Sequence, residues 1–158
     1  DQISITHSKE GLATLLDFSR MSIESFRIPE DWRFKLVDTG IRRSLSDTNY
    51  SSSEVNMQTR RIHAEEESAR VRIALNSDAR ALGSILNESH ESISDNIRSS
   101  TPEIDNMVRA VQNTAGVYGA RLMGGGFGGM ILALVEEEDA IPGDLLVSSG
   151  PAFFQKTL

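Results

Sequence analysis

Residues 117–123 and 130–135 are two apolar, strand-like runs, and the six residues between them, Gly124-Gly-Gly-Phe-Gly-Gly129, include five glycines. Glycine is entropically costly in ordered structure, but it alone reaches φ > 0 freely and lets another group approach the main chain with no Cβ in the way. Two strands joined this way, as a hairpin or a crossover pair, suit either a tight, closely packed connection or a loop whose backbone another group approaches. Gly124, Gly125, Gly126, Gly128 and Gly129 are therefore the first candidate site.

Around this feature the chain changes character. Short apolar runs at 3–6, 13–18, 22–28 and 33–38 are separated by turn signals such as Pro29-Glu-Asp31, and read as strands. A polar Ser/Asp/Asn stretch follows Gly40 to about Ser53, and its length suits a functional loop. From Glu54 to about Asn76 a stripe of Met57, Ala64, Val71 and Leu75 recurs at helical spacing, which predicts an amphipathic helix with Glu65, Glu66 and Glu67 on its solvated side. A second helix is expected after Ser77, with Leu82, Ile85 and Leu86 inward, ending before the polar run 87–94. The third has the clearest boundary: Thr101 suits an N-cap, Pro102 the first turn, and Ile104, Met107, Val108 and Val111 one face. Strands, helices, then a strand pair predict an α+β fold, with an antiparallel sheet and helices packed on one face. The tail after Glu136 adds one or two short strands at most.

The 158 residues suit a single domain, and the net charge of −7 argues against a nucleic-acid or anionic-membrane surface. With no cysteine, disulfides and thiolate metal sites are excluded. His7, His63 and His90 lack metal-ligand spacing, so no metal site is assigned to them. No apolar run approaches a membrane span, and a cytoplasmic setting is expected.

Three phosphate-binding templates fail at the loop. Gly124-x-Gly126-x-x-Gly129 has the dinucleotide spacing, but a strand rather than a helix follows it. The protein-kinase glycine loop would need His-Arg-Asp and Asp-Phe-Gly segments, which are absent. A P-loop would end in Gly-Lys-Ser/Thr.

The longer segment Gly116-Val-Tyr-Gly-Ala-Arg-Leu-Met-Gly-Gly-Gly-Phe-Gly-Gly129 resembles the third signature motif of the galactokinase branch of the galactokinase, homoserine, mevalonate and phosphomevalonate (GHMP) kinases. Its Phe within the glycine run points to that branch, because mevalonate-type members usually carry a plainer Gly-Ala-Gly-Gly-Gly-Gly loop. In chain order, Asp38-Thr-Gly-Ile-Arg42 resembles the family's Asp-Ser-Gly-Val-Arg segment. Ser89-His90-x-Ser92 and Ser100-Thr-Pro-Glu-Ile-Asp105 resemble its Ser-His-x-Ser-Leu and Ser-x-Pro-Glu-Leu-Asp region. The likeness covers roughly residues 1–136 and only the family's C-terminal half.

The resemblance implies a ferredoxin-like C-terminal domain of an ATP-dependent sugar 1-kinase, converting galactose and ATP to galactose 1-phosphate with Mg2+. Asp1-Gln2 would match the family's Met-Asp-Gln, whose aspartate is taken as the catalytic carboxylate, and Tyr50 would match a sugar-contacting tyrosine. Without the resemblance, Asp1 is a frayed terminal residue and Tyr50 a loop aromatic. Arg60-Arg61 come later than the family's Arg-Arg, and Met123 stands where a small hydroxyl residue is common. The family's N-terminal sugar motif and its Gly/Ser-rich ATP loop do not occur in these residues, so an N-terminal ATP-binding lobe is expected as a missing partner and the chain alone is expected to be inactive. An alternative class is a non-catalytic sugar-binding or partner-binding module, with a homodimer through the exposed lobe interface.

Overall fold

The computed structural model describes residues 2–42 and 57–151. These fall into two compact units, one running to Glu30 and resuming at Leu146, the other from Asp31 to Leu145.

In the first unit, Gln2–His7 form a short helix, α1, where alternating Ile3 and Ile5 predict a strand. Alternation over so few residues fits one and a half helical turns equally well, and the Thr6 hydroxyl closes the turn locally by donating to the Ile3 carbonyl at 3.2 Å. Strands β1 (Leu12–Asp17) and β2 (Ser22–Arg27) pair antiparallel, from Leu12 opposite Arg27 to Asp17 opposite Ser22. Asp17 builds the turn between them: its Oδ1 accepts from the Ser19 amide at 2.9 Å, the Ser19 hydroxyl at 2.6 Å and the Arg20 amide at 3.2 Å.

The second unit holds a four-stranded antiparallel sheet of order β4-β5-β3-β6, with β3 Arg33–Asp38, β4 Val117–Leu122, β5 Met130–Val135 and β6 Asp144–Leu145. Its helices are α2 (Met57–Ala74), α3 (Ala79–Ser92), which continues into a π turn at Ile93–Ile97, and α4 (Pro102–Gln112). The α+β class and antiparallel sheet are as expected. Thr101 caps α4, its Oγ1 accepting from the Ile104 amide, with Pro102 in the first turn.

Period-two alternation distributes the side chains of β5 between two clusters. Ile131, Ala133 and Val135 pack with Ile104 and Val108 of α4 and with Ala120 and Leu122. Leu134 packs with Ala79, Leu82 and Leu86 of α3, flanked by Trp32, Phe34 and Tyr118. Helix α3 also meets β4 backbone to backbone. A Cβ on Gly119 would fall inside the Gly83 carbonyl, and one on Gly83 inside the Tyr118 carbonyl.

Two sequence expectations about the helices are corrected. The 87–94 run does not end α3 but is its second half, because its polar side chains find partners on α2 and β4, as the site below details. The apolar stripe of α2 does not face inward: Met57 is 83% exposed and Val71 45% exposed. The turned-in face is His63, Glu67, Arg70 and Ala74, mostly polar.

Candidate functional site

The glycine-rich segment is the connection of the β4–β5 hairpin, closed by the Met123 amide donating to the Met130 carbonyl at 2.9 Å. Two neighbouring segments hold it through backbone contacts. The π turn ends on Arg98 in the left-handed region, which turns Ser99 toward the loop. The Ser99 carbonyl accepts the Phe127 amide at 2.7 Å, and its amide donates back to Ile93 at 3.2 Å. On the other side, the Gly129 amide donates to the Ile41 carbonyl at 3.0 Å, while the Thr39 amide and hydroxyl both donate to the Gly129 carbonyl, at 3.0 and 2.8 Å.

These contacts explain the glycines at two positions. Gly126 has φ 87° and any Cβ there would overlap the Ser99 carbonyl; Gly128 has φ 149° and a Cβ there would run into the Ile41 carbonyl. Gly124 and Gly129 face open space. The amides of Phe127 and Gly129 are thus committed to the fold, while those of Gly124, Gly126 and Gly128 donate to no described residue. Backbone amides left without a described acceptor in a turn rich in positive-φ residues are donors available to an anionic oxygen.

Beside the loop lies the turn after β3. Asp38 accepts two hydrogen bonds from Arg42, at 2.7 and 2.6 Å, and one from the Gly40 amide at 2.9 Å. The Arg42 bonds, helped by Gly40, hold the Asp38 carboxyl down to about 2. Arg42 is thereby oriented by Asp38 and remains 62% exposed, a cation next in sequence to Ile41, whose carbonyl holds the loop.

Behind the hairpin is a polar network that sequence reasoning missed. Glu67 of α2, assigned to a solvated face, is half-buried: its Oε2 accepts from the Ser89 hydroxyl at 2.8 Å and from Arg121 of β4 at 3.3 Å, and its Oε1 from Arg70 at 2.7 Å. Arg121 also donates to Ser89 at 2.6 Å. Burial works to raise the Glu67 carboxyl, but the Ser89 and Arg70 bonds and the Arg121 charge outweigh it and leave it below its ordinary value. Burial pulls Arg121 in the destabilising direction, below its usual value. His63 joins through a 2.9 Å contact with the Ser92 hydroxyl. The missed signal was the spacing His63, Glu67, Arg70, a polar stripe at helical period.

Of the sequence-assigned residues, the five glycines come together in one loop. The catalytic and sugar-contact assignments, Asp1 and Tyr50, lie outside the described residues. Ser99 lies beside the Ser100–Asp105 motif and Ile41 within the Asp38–Arg42 motif, yet neither residue's identity signals that its carbonyl holds the loop. Among the described residues no three His, Cys, Asp or Glu side chains converge to hold a metal ion, and no helix is long and apolar enough to cross a membrane.

Residues 71–142, from the end of α2 to just before β6, match the family described as GHMP kinases C terminal. The chain is 31% identical to the galactokinase of Thermococcus kodakarensis over 86% of its own length and 47% of that protein. It is 29% identical to that of Pyrococcus furiosus over 89% of its length and 48% of that protein. A shorter stretch, 40% of this chain and 16% of the relative, is 46% identical to human galactokinase. The chain thus spans about half the length of the first two of these relatives. Among solved structures, Lactococcus lactis galactokinase complexed with galactose superposes with a TM-score of 0.76 over 95% of this chain and 54% of that one, at 22% identity. L. major mevalonate kinase does so with 0.58 over 82% and 41%, also at 22%. At that identity the two structures establish a shared fold.

Proposed function

Since this chain carries a GHMP kinase C-terminal domain and is galactokinase-like over most of its length, we propose that it is the C-terminal half of an ATP-dependent sugar 1-kinase, with galactose as the substrate. The observation that carries the reading is the glycine loop: tied by backbone at Ser99, Thr39 and Ile41, with the Gly124, Gly126 and Gly128 amides undonated to any described residue.

In this reading the nucleotide supplies the phosphoryl group, and the chain's residues do the positioning. The rigid loop offers N–H dipoles where phosphate charge develops, with no reorganisation needed at the moment of transfer. Arg42, held by Asp38, adds a cation at the rim. Asp1 accepts the proton of the sugar hydroxyl as its oxygen attacks phosphorus, and Tyr50 contacts the sugar. The family also implies Mg2+; the described residues do not form a cage for it, so no step is assigned to the ion. A cytoplasmic protein completed by an N-terminal ATP-binding lobe fits the same reading.

The test is transfer of phosphate from ATP to galactose by the protein in its complete form. Asp1→Asn is expected to lower kcat by about 100-fold or more with little change in sugar affinity. Full turnover by that variant would remove Asp1 from the role of base, and no phosphorylation of galactose or any other hexose by the unmutated protein would overturn the reading itself.

A further inference from the structure

Strand β4 lies at the end of its sheet, so its outward amides lack a strand partner. Helix α3 supplies side-chain acceptors instead. Asn87 Oδ1 takes the Ala120 amide at 2.9 Å, and one turn later His90 Nδ1 takes the Leu122 amide at 3.3 Å. Gln112 of α4 completes the edge by donating to the Ala120 carbonyl at 2.8 Å. Leu122 is 1% exposed, so its amide depends on a protein acceptor rather than on bulk solvent.

An accepting Nδ1 carries no proton, which puts the ring hydrogen on Nε2. That nitrogen lies 3.2 Å from Asp105 Oδ1 of α4. Both atoms are buried and neither forms a well-aligned hydrogen bond to a described residue, so the contact between them offsets part of their desolvation. The second Asp105 oxygen is fixed by the Ser94 hydroxyl at 2.9 Å. Ser94 and Asp105 join His90 in lining a polar cavity of about 280 Å³ with Asp95, Arg109 and Gln112.

We propose that His90 is a positioning residue for the glycine loop: as the neutral Nε2–H tautomer, facing Asp105, it accepts the Leu122 amide and fixes where β4 delivers the loop. The π turn that continues α3 also carries the chain to Ser99, which holds the loop's middle. One helix and its extension therefore grip the loop at its root and at Phe127.

The device has a direction in pH. Protonated His90 would present Nδ1–H to the Leu122 N–H, donor against donor, and the buried amide would lose its acceptor. The charged groups around the ring are Glu91 and Asp95 from its own helix and π turn, Asp105 and Arg109 from α4, and Arg121 from β4. Burial lowers the pKa of His90, Asp105 and Glu91 work against it, and Arg121 adds to the lowering. The ring therefore stays neutral down to a pH below the ordinary histidine value.

The coupling stands on geometry; only its consequence for catalysis rests on the proposed kinase reading. Nitrogen NMR of the full chain is expected to find His90 protonated at Nε2 alone at neutral pH. His90→Leu is expected to reduce the amide-exchange protection of Leu122 about tenfold relative to Ile131, the fold control in β5. His90→Asn, which keeps an acceptor near the Nδ1 position, is expected to restore most of that protection. In the unmutated chain Leu122 protection falls in acid in step with His90 protonation, and in His90→Asn it does not. A proton on Nδ1, equal loss in both variants, or Leu122 changing only in parallel with Ile131 would each overturn the proposal. If His90→Leu does not fold, the pH series and His90→Asn still decide. Absence of sugar phosphorylation by the complete protein would sink the kinase reading and leave these exchange results intact.

Discussion

Gly124→Ala and Gly126→Ala make a matched pair that isolates what the loop's tether contributes. Both glycines are left-handed, at φ 78° and 87°. An L-residue there costs about 1–2 kcal/mol, offset by about 0.4–1 kcal/mol from the stiffer unfolded chain. For Gly124, with nothing near its Cβ direction, that is the whole effect, about 1 kcal/mol. At Gly126 the new methyl would also overlap the Ser99 carbonyl and come within 2.7 Å of Ser99 Cβ. Relief means shifting the loop off the π turn. That loses the Phe127–Ser99 hydrogen bond, about 1 kcal/mol, and adds overpacking strain of about 1–3 kcal/mol. Gly126→Ala should therefore exceed Gly124→Ala by about 2–4 kcal/mol. Urea unfolding followed by Trp32, the single tryptophan and a member of the same compact unit, reads the difference. At a slope of about 1–3 kcal/mol per molar the midpoints should separate by about 0.7 M or more. Midpoints within about 0.2 M of each other would refute the argument that Ser99 sets the loop.

Two further outcomes follow from charged contacts. Asp38 should titrate at about 2, and since its folded pKa is depressed, the stability it adds is present above the ordinary carboxylate range and disappears as pH falls toward 2. Carboxyl NMR should find Arg42→Gln moving Asp38 back up, and an unmutated Asp38 titrating in the ordinary range would count against the pair. Arg121→Met should destabilise by about 2 kcal/mol, because Glu67 and Ser89 lose a partly buried donor. A cycle with Glu67→Gln should yield a coupling above about 0.5 kcal/mol, and simple additivity would mean the two charges act independently.

How much was legible in the sequence depended on whether a segment obeys the rule that apolar faces turn inward. Helix α4 does, with Thr101, Pro102 and its Ile104–Val108 face, and was readable to its first residue. Strands β4 and β5 and their glycine connection were readable from the glycines and their apolar flanks, while the choice of a hairpin over a crossover came from the structure. Helix α2 and the second half of α3 break the rule. Glu67, Ser89, His90 and Asn87 are polar yet turned inward because each meets a specific partner on another element, an amide at the edge of β4 or the partly buried Arg121 guanidinium. Partners distant in sequence leave no periodic trace, so a polar stripe reads as solvent-facing until the fold brings Arg121 and Leu122 alongside. The tether was half legible: its segments stood out as motif matches, but carbonyls do the holding, and a carbonyl has no residue identity to read.

The bare contact between Gly83 and Gly119 gives the molecule a hard stop. Where helix and sheet are separated by side chains, their spacing can drift as those side chains enlarge or shrink, and damage is absorbed locally. Here main chain rests on main chain, so a smaller side chain along α3 cannot be compensated by the helix closing further on β4. The same helix holds the Leu122 amide at the end of that strand, so the spacing set at Gly83 and Gly119 is also the spacing at the threshold of the glycine loop.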